Sequence, residues 1–274
     1  MEIARIYLVS NASKPDVLRA VADLKVWCQG RSVETIPILE SPPQETERAI
    51  GLCLGGDGTV LRGAKLFSEV DIPILGVNLG SLGFLTQAAL DGLIDALERV
   101  MAGEFSVEER MRLAFHTNGA IGTVLNDLVI TGADTSPFCE VELAWGDGRV
   151  ASFPGDGLIL ATATGSTAYS LSAGGPVIVP PAACILATPL AAHKLGVRPI
   201  VFPADETLHI RTLSHIRLIT DGDFAGVFPR ETQIRVARAP RPTKLIRLAD
   251  APGFFHVLNE KLNWADPQDR RPTT

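Results

Sequence analysis

The sequence predicts an α/β chain in two parts: an N-terminal doubly wound, Rossmann-like α/β domain and an antiparallel, β-rich, β-sandwich-like C-terminal domain. Three observations predict it. Up to about residue 108, short apolar runs alternate with stretches of helical periodicity, the pattern of a parallel sheet covered on both faces. Beyond that point strand-like stretches follow one another with little helix between them. The length, 274 residues, exceeds the usual size of one domain. The expected division is 1–108, with a tail from about 251 to 274 returning to it, and 109–250.

Ile3 to Val9 reads as a buried strand. Ser13 and Pro15 then open a helix with Val17, Leu18, Val21, Leu24 and Trp27 on one face, ending near Gly30. Val33 to Leu39 is the second strand, Ser41-Pro42-Pro43 the loop beyond it, and Ala49 to Leu54 a third, apolar strand. A helix follows from Thr59 to Glu69, a strand from Ile72 to Val77, and an amphipathic helix from Leu90 to Met101 through Leu93, Ile94, Leu97 and Val100. In the second half Glu140 to Trp145, Gly157 to Ala163, Thr207 to Arg211 and Ile216 to Thr220 read as strands, with Gly146-Asp147-Gly148 as a hairpin turn. Ala173 to Ala192 is uncharged and nearly long enough to span a membrane, but Pro176, Pro180, Pro181 and Pro189 break it. It reads as a buried turn followed by short core strands. The stretch Gly253 to Trp264 is expected to rejoin the first domain, with a frayed polar end after it.

Composition narrows the function classes. Hydrophobic residues make up 46% and charged residues 20%, a globular balance. The 25 basic and 31 acidic residues leave a net charge of −6, so nothing global attracts nucleic acid or an anionic membrane, and any phosphate must be held locally. Cys28, Cys53, Cys139 and Cys184 form no C-x-x-C pair and read as buried thiols; the five scattered histidines form no H-E-x-x-H. No metal site held by the protein alone is expected. The N-terminus lacks the signature of a signal peptide, and the expected location is the cytoplasm.

The motif that carries chemistry is Gly55-Gly56-Asp57-Gly58-Thr59, placed between an apolar strand and a helical pattern. Three glycines around one carboxylate allow positive φ and close approach of an anion, and the N–H groups of the following helix point at the same spot. The plainer alternative is a tight turn with Asp57 capping the helix. Gly76-Val77-Asn78-Leu79-Gly80-Ser81-Leu82-Gly83-Phe84 does not fit the dinucleotide G-x-G-x-x-G, and Ala64 between Gly63 and Lys65 breaks the Walker pattern. Asp156 to Pro176 runs from a strand into a crowd of small hydroxyl residues, which suits recognition of a purine edge and ribose hydroxyls, with Tyr169 laid against a sugar or base. Its alternative is a Thr/Ser-rich strand and turn with Tyr169 in the core. Asn126-Asp127 interrupts the apolar strand Val124 to Ile130, and the pair is satisfied either by a ligand with hydroxyls or an amide or as a turn or sheet-edge pair. Arg62 and Arg198 are candidate stabilisers of a phosphoryl donor or plain surface arginines.

Taken together and in this order, these segments resemble the NAD kinase family, which phosphorylates the adenosine-ribose 2′-hydroxyl of NAD to make NADP. The resemblance runs from about residue 50 to 230 and includes Thr188 to Pro199 and the tail Glu260-Lys261-Leu262-Asn263-Trp264. The Gly-Gly-Asp-Gly-Thr string is shared with lipid kinases and phosphofructokinases; Thr164 to Pro176 discriminates. The resemblance implies Asp57 as general base on the 2′-hydroxyl with Gly58 beside it, and Phe84 lining the pocket. It also implies that Asn126, Asp127, Asp156, Thr167, Ala168, Tyr169, Ser170, Leu171 and Ser172 contact NAD. It further implies Mg2+ or another divalent cation arriving with ATP or polyphosphate, and a homodimer or homotetramer. Asp127 stands where the family often has Glu, Pro137 and Pro154 where some members have basic residues, and Asp223 where Gln is frequent. Two other readings share parts of the pattern: a lipid kinase of the same superfamily, and a non-catalytic NAD(P)-binding sensor.

Overall fold

The computed structural model describes residues 3–10, 15–38, 40–80, 82–133 and 138–263. Ser13, Leu39, Ser81, Pro137, Trp264 and the chain end, each named in an expectation above, lie outside the described residues. The chain divides into two compact units, 1–108 with 244–274, and 109–243.

With labels in chain order, the first unit holds β1 (Arg5–Ser10), α1 (Pro15–Gln29), β2 (Glu34–Pro37), β3 (Ala49–Leu54), α2 (Asp57–Phe67), β4 (Ile74–Asn78), β5 (Ala88–Ala89), α3 (Leu93–Ala102) and β6 (Phe105–Arg110). On the return it adds β19 (Thr243–Leu248) and α5 (Phe254–Leu262). The sheet order is β2-β1-β3-β4-β19-β6, with β5 beside β4. The β1, β2, β3, β4 and β19 pairings are parallel. The return to this unit starts at Lys244 rather than near residue 251, because Thr243–Leu248 supplies a sheet strand beside β4.

Strand alternation separates two unlike faces in this sheet. Ile6, Leu8, Ile50, Leu52, Leu54, Leu75 and Val77 pack with Val17, Leu24, Leu97 and Val100 of α1 and α3. Beneath α2 the alternate positions Gly51, Cys53 and Gly76 are small. A Cβ on Gly51 would lie 2.4 Å from the Phe67 ring, one on Gly63 2.4 Å from Cys53 Sγ, and one on Gly76 2.9 Å from Val60 Cγ2. α2 therefore lies closely on the sheet at the cost of side chains on both sides, which fixes its N-terminus at the carboxyl edge of β3. In α1 the buried face is Val17, Ala20, Leu24, Trp27 and Cys28, while Leu18 is 57% exposed, a correction to the expected stripe. Ala20 fits where α1 packs, and the wider Leu18 turns outward.

The second unit holds β7 (Leu113–Thr117), β8 (Ala120–Val124), β9 (Asp127–Gly132), β10 (Cys139–Trp145), β11 (Gly148–Gly155), β12 (Gly157–Ala161), α4 (Tyr169–Ser172), β13 (Cys184–Leu190), β14 (Ile200–Pro203), β15 (Leu208–Thr212), β16 (Ile216–Thr220), β17 (Asp223–Phe228) and β18 (Gln233–Arg238). One six-stranded sheet runs β11-β10-β15-β18-β7-β8 and a second β14-β13-β12-β9-β16-β17, with antiparallel pairings throughout the printed registers of both. Their facing residues, among them Phe115, Val141, Ile210 and Ile234 against Ile130, Leu158, Ile185 and Leu218, form one core. Ala173 and Ile178 cover the other face of the second sheet over Val129, Ile159 and Leu186, so β9 and β12 are apolar on both sides. The Gly146-Asp147-Gly148 hairpin joins β10 to β11, with Gly146 at φ +53.

Two expectations need correction here. Asn126-Asp127 does not interrupt a strand: β8 ends at Val124 in the first sheet and β9 begins at Asp127 in the second, so the pair sits at the corner where the chain changes sheets. Ala173 to Ala192 contains one strand, β13, because the prolines ahead of it leave 173–183 irregular. All four cysteines are buried and unpaired. Burial pushes the Cys53 thiol up to about 12, which makes it an inert packing group. No helix among the described residues is long and apolar enough to cross a membrane.

Candidate active site

In the first unit the site is built on Asp57, the first residue of α2, just past the carboxyl end of β3. None of Gly55, Gly56 and Gly58 adopts positive φ, contrary to expectation; Gly56 sits at φ −75. Their lack of side chains acts sterically instead. A Cβ on Gly55 would meet Thr59 Oγ1 at 2.1 Å, whereas Gly56 and Gly58 are exposed with nothing within 4 Å of that position. The start of α2 is thus open to a ligand approaching its N–H groups.

Asp57 does not cap its own helix: the cap residue is Gly56, which makes no side-chain cap bond. Its carboxylate reaches instead to the loop after β4, where Oδ2 accepts from the Phe84 N–H and Oδ1 from the Leu85 N–H, each at 3.0 Å. A Cβ on Gly83 would lie 2.1 Å from Asp57 Oδ1, so only glycine admits the carboxylate there. The loop is tied in turn by Gly83 N–H to Thr86 Oγ1 at 2.8 Å, Gln87 N–H to Gly76 O at 2.8 Å and Gly80 N–H to Asn78 Oδ1 at 3.2 Å. Asp57 stays partly exposed, and each of its oxygens keeps a lone pair for a further donor. Phe84 is half-buried with its ring 5.8 Å from that of Phe254 on α5.

In the second unit the corner at Asn126-Asp127 gathers three segments. Thr162, just past β12, donates its hydroxyl to Leu125 O at 2.6 Å and its N–H to Asn126 O at 2.9 Å. Gly165 N–H donates to Thr162 Oγ1 at 3.0 Å, and a Cβ on Gly165 would lie 2.1 Å from Asn126 O. From the other side the Asp221 carboxylate accepts the N–H groups of residues 125, 126 and 127. Asn126 Oδ1 is buried and has no partner, an acceptor left for a ligand or a water. Asp127 is buried; desolvation first, then the Asp221 charge, push its carboxyl up to about 7.

The hydroxyl-rich stretch divides into an inward and an outward set. Ser166 Oγ accepts from Ile178 N–H at 2.9 Å and donates to Ala163 O at 2.7 Å, and the Ser170 hydroxyl pairs with that of Thr188 at 2.7 Å. Both serines are fully buried. Tyr169 is 48% exposed, against the alternative that placed it in the core. Ser172 is also exposed, and Thr167, Ala168 and Leu171 are half-buried.

Known proteins share this organisation. Residues 34–105 match the family model described as the ATP-NAD kinase N-terminal domain, and 125–248 that of the ATP-NAD kinase C-terminal domain. The chain is 38% identical to the NAD kinase of Heliobacterium modesticaldum over 93% of its own length and 97% of that protein. The chain belongs to the NAD kinase family. Another member, from Geotalea daltonii, is 42% identical over 78% of each chain. The fold superimposes on yeast NADH kinase complexed with NADH at a TM-score of 0.87, with 21% identity, covering 100% of this chain and 90% of that one.

The geometry also brings against the candidate residues four that the sequence reading did not single out: Gly83 and Leu85 at Asp57, Thr162 and Asp221 at the corner. Gly83 and Thr162 stand inside the segments quoted above, so their neighbourhood was the available signal. Asp156, by contrast, lies apart from the corner. It stands in the bend just before β12, its N–H donating to Leu190 O at 2.9 Å, while Asn126, Thr162 and Asp221 gather at the strand's other end. Five strand residues separate the two ends, roughly 16 Å at the usual rise.

Proposed function

We propose that this protein phosphorylates the adenosine-ribose 2′-hydroxyl of NAD, using ATP or polyphosphate carrying Mg2+ or another divalent cation as co-substrate, with Asp57 as general base. The observation that carries the reading is the Asp57 carboxylate, held by two backbone amides beside an open helix N-terminus. Its oxygens are fixed before substrate arrives, so little reorganisation is needed to orient a hydroxyl. In the proposed step the 2′-oxygen forms a bond to the terminal phosphorus, the bond from that phosphorus to the donor's bridging oxygen breaks, and the hydroxyl proton passes to Asp57. The Gly58 amide is left to hold phosphate, and Phe84 lines the pocket. Support for NAD as substrate comes from the family and from the corner, where Asn126 Oδ1 lacks a partner and Asp127 is poised to share a proton with a ligand hydroxyl.

Thr167, Ala168, Tyr169, Leu171 and Ser172 contribute by side chain or backbone from the outward face, with the exposed Tyr169 ring against a base or sugar. Ser170 contributes backbone only, because its hydroxyl is spent on Thr188. Asp156 stands too far along β12 for one adenosine to touch it and the corner together. We assign it to a contact across the subunit boundary of a homodimer or homotetramer. The Archaeoglobus fulgidus NAD kinase structure, in complex with ATP, has the same fold at a TM-score of 0.74, with 23% identity over 89% of this chain and 94% of that one. ATP is accordingly the first donor to test. The protein is placed in the cytoplasm, with small molecules rather than nucleic acid or membrane as partners. The deciding experiment is NADP formation from NAD by purified protein, run in parallel with Mg-ATP and polyphosphate. NADP with neither donor overturns the reading; tight NADP binding without turnover points to the sensor, and a phosphorylated lipid to the lipid kinase.

A further inference from the structure

Asp221 occupies the turn between β16 and β17 in left-handed conformation, φ +49, followed by Gly222 at +87. Its Oδ1 accepts from the N–H of Asn126 at 2.7 Å and of Asp127 at 3.1 Å, and its Oδ2 from that of Leu125 at 2.9 Å. Its own N–H donates to Asp127 O at 3.0 Å. Three successive amides converging on one anion form the kind of nest that elsewhere binds phosphate, and here a side chain of the protein fills it. The carbonyls of Leu125 and Asn126 are held by Thr162. The corner is thus gripped on its N–H side by a charge and on its C=O side by a hydroxyl and an amide, and the charge-assisted grip is the stronger of the two.

We propose that Asp221 is a positioning residue for substrate recognition: by holding the backbone of Leu125, Asn126 and Asp127, it sets the direction in which the Asn126 and Asp127 side chains meet NAD. The inference rests on the reading of that pair as NAD contacts. Asp221 does not touch the substrate, and its effect falls on binding more than on the chemical step. The sheet change at this corner leaves residues 125 and 126 outside both strand ladders, so no neighbouring strand can take over the grip.

Asp221→Asn tests it in the full chain. Asparagine tolerates the left-handed conformation, but its amide nitrogen would face an N–H in place of an acceptor and the charge is lost. The expected result is a rise of about tenfold in the Kd and KM for NAD, with a smaller change in kcat. Amide hydrogen exchange at residues 125–127 should accelerate while that of Leu128 to Ile130 in β9 stays as in wild type. Because the proposed route runs through Asn126 and Asp127 together, Asn126→Ala should weaken NAD binding too, and Asp221→Asn should cost less in that background than in wild type, the part of its effect carried by Asn126 being already lost. An unchanged Kd for NAD, or single effects that multiply in the double variant, overturns the inference. Wild-type turnover with unchanged Kd in Asp221→Asn overturns the inference alone, whereas a wild type without NADP formation overturns the reading beneath it.

Discussion

The Asp57 carboxylate meets two N–H groups from a loop 27 and 28 residues away, and this gives it a fixed direction that a solvent-exposed aspartate lacks. Asp57→Asn removes the proton acceptor and also one of the two loop hydrogen bonds, because its amide nitrogen must face the N–H of Phe84 or Leu85; turnover should fall by roughly 10²–10⁴, with NAD still binding by calorimetry. Near-normal turnover in that variant would remove the general-base role. Asp127 supplies a pH prediction. Its folded-state pKa lies near 7 against an unfolded value near 4, so between those values the folded state binds the extra proton and stability falls as pH rises. The contribution is fully present below pH 4 and lost above 7. Asp127→Asn should flatten urea stability between pH 4 and 8 and make the protein more stable than wild type at pH 8. The glycine string made Asp57 legible, and its polar character in an apolar run did so for Asn126-Asp127. Asp221 was not legible, because the amides it serves are 94 to 96 residues away.

At the scale of elements, α2 is positioned by absent side chains. Gly51→Ala would place a methyl 2.4 Å from the buried Phe67 ring. It should lower stability by about 1–3 kcal/mol in denaturant unfolding. Gly83→Ala acts differently: its methyl would strike Asp57 Oδ1 at 2.1 Å, so turnover should drop far more than the melting temperature. Equal losses in both would mean that the loop merely packs. The alternation of strands and helices was readable in the first half because parallel strands covered on both faces are continuous apolar runs, as in β3. The corner at Asn126 was read as one strand because Val124 and Leu128 are apolar on either side. Nothing local records that the two residues belong to different sheets.

For the whole molecule, the second unit is contiguous in sequence and has its own core, whereas the first needs β19 from the far end of the chain to stand between β4 and β6. Residues 109–243 expressed alone should unfold cooperatively, and residues 1–108 alone should not; circular dichroism against urea checks both. If Asp156 acts across a subunit boundary, mixing inactive Asp57→Asn and Asp156→Ala chains should restore about a quarter of wild-type turnover, and no restoration would place Asp156 in its own subunit's site. By itself the sequence determined the two-part α/β and β-rich organisation and pointed to Asp57 as the candidate carboxylate, since periodicity and a compact glycine motif are written in neighbouring residues. Only the tertiary structure decided what holds those groups. The Phe84 and Leu85 amides on Asp57, the Asp221 clamp on the corner and the place of β19 in the first sheet are all long-range pairings, and their partners carry no local mark of one another.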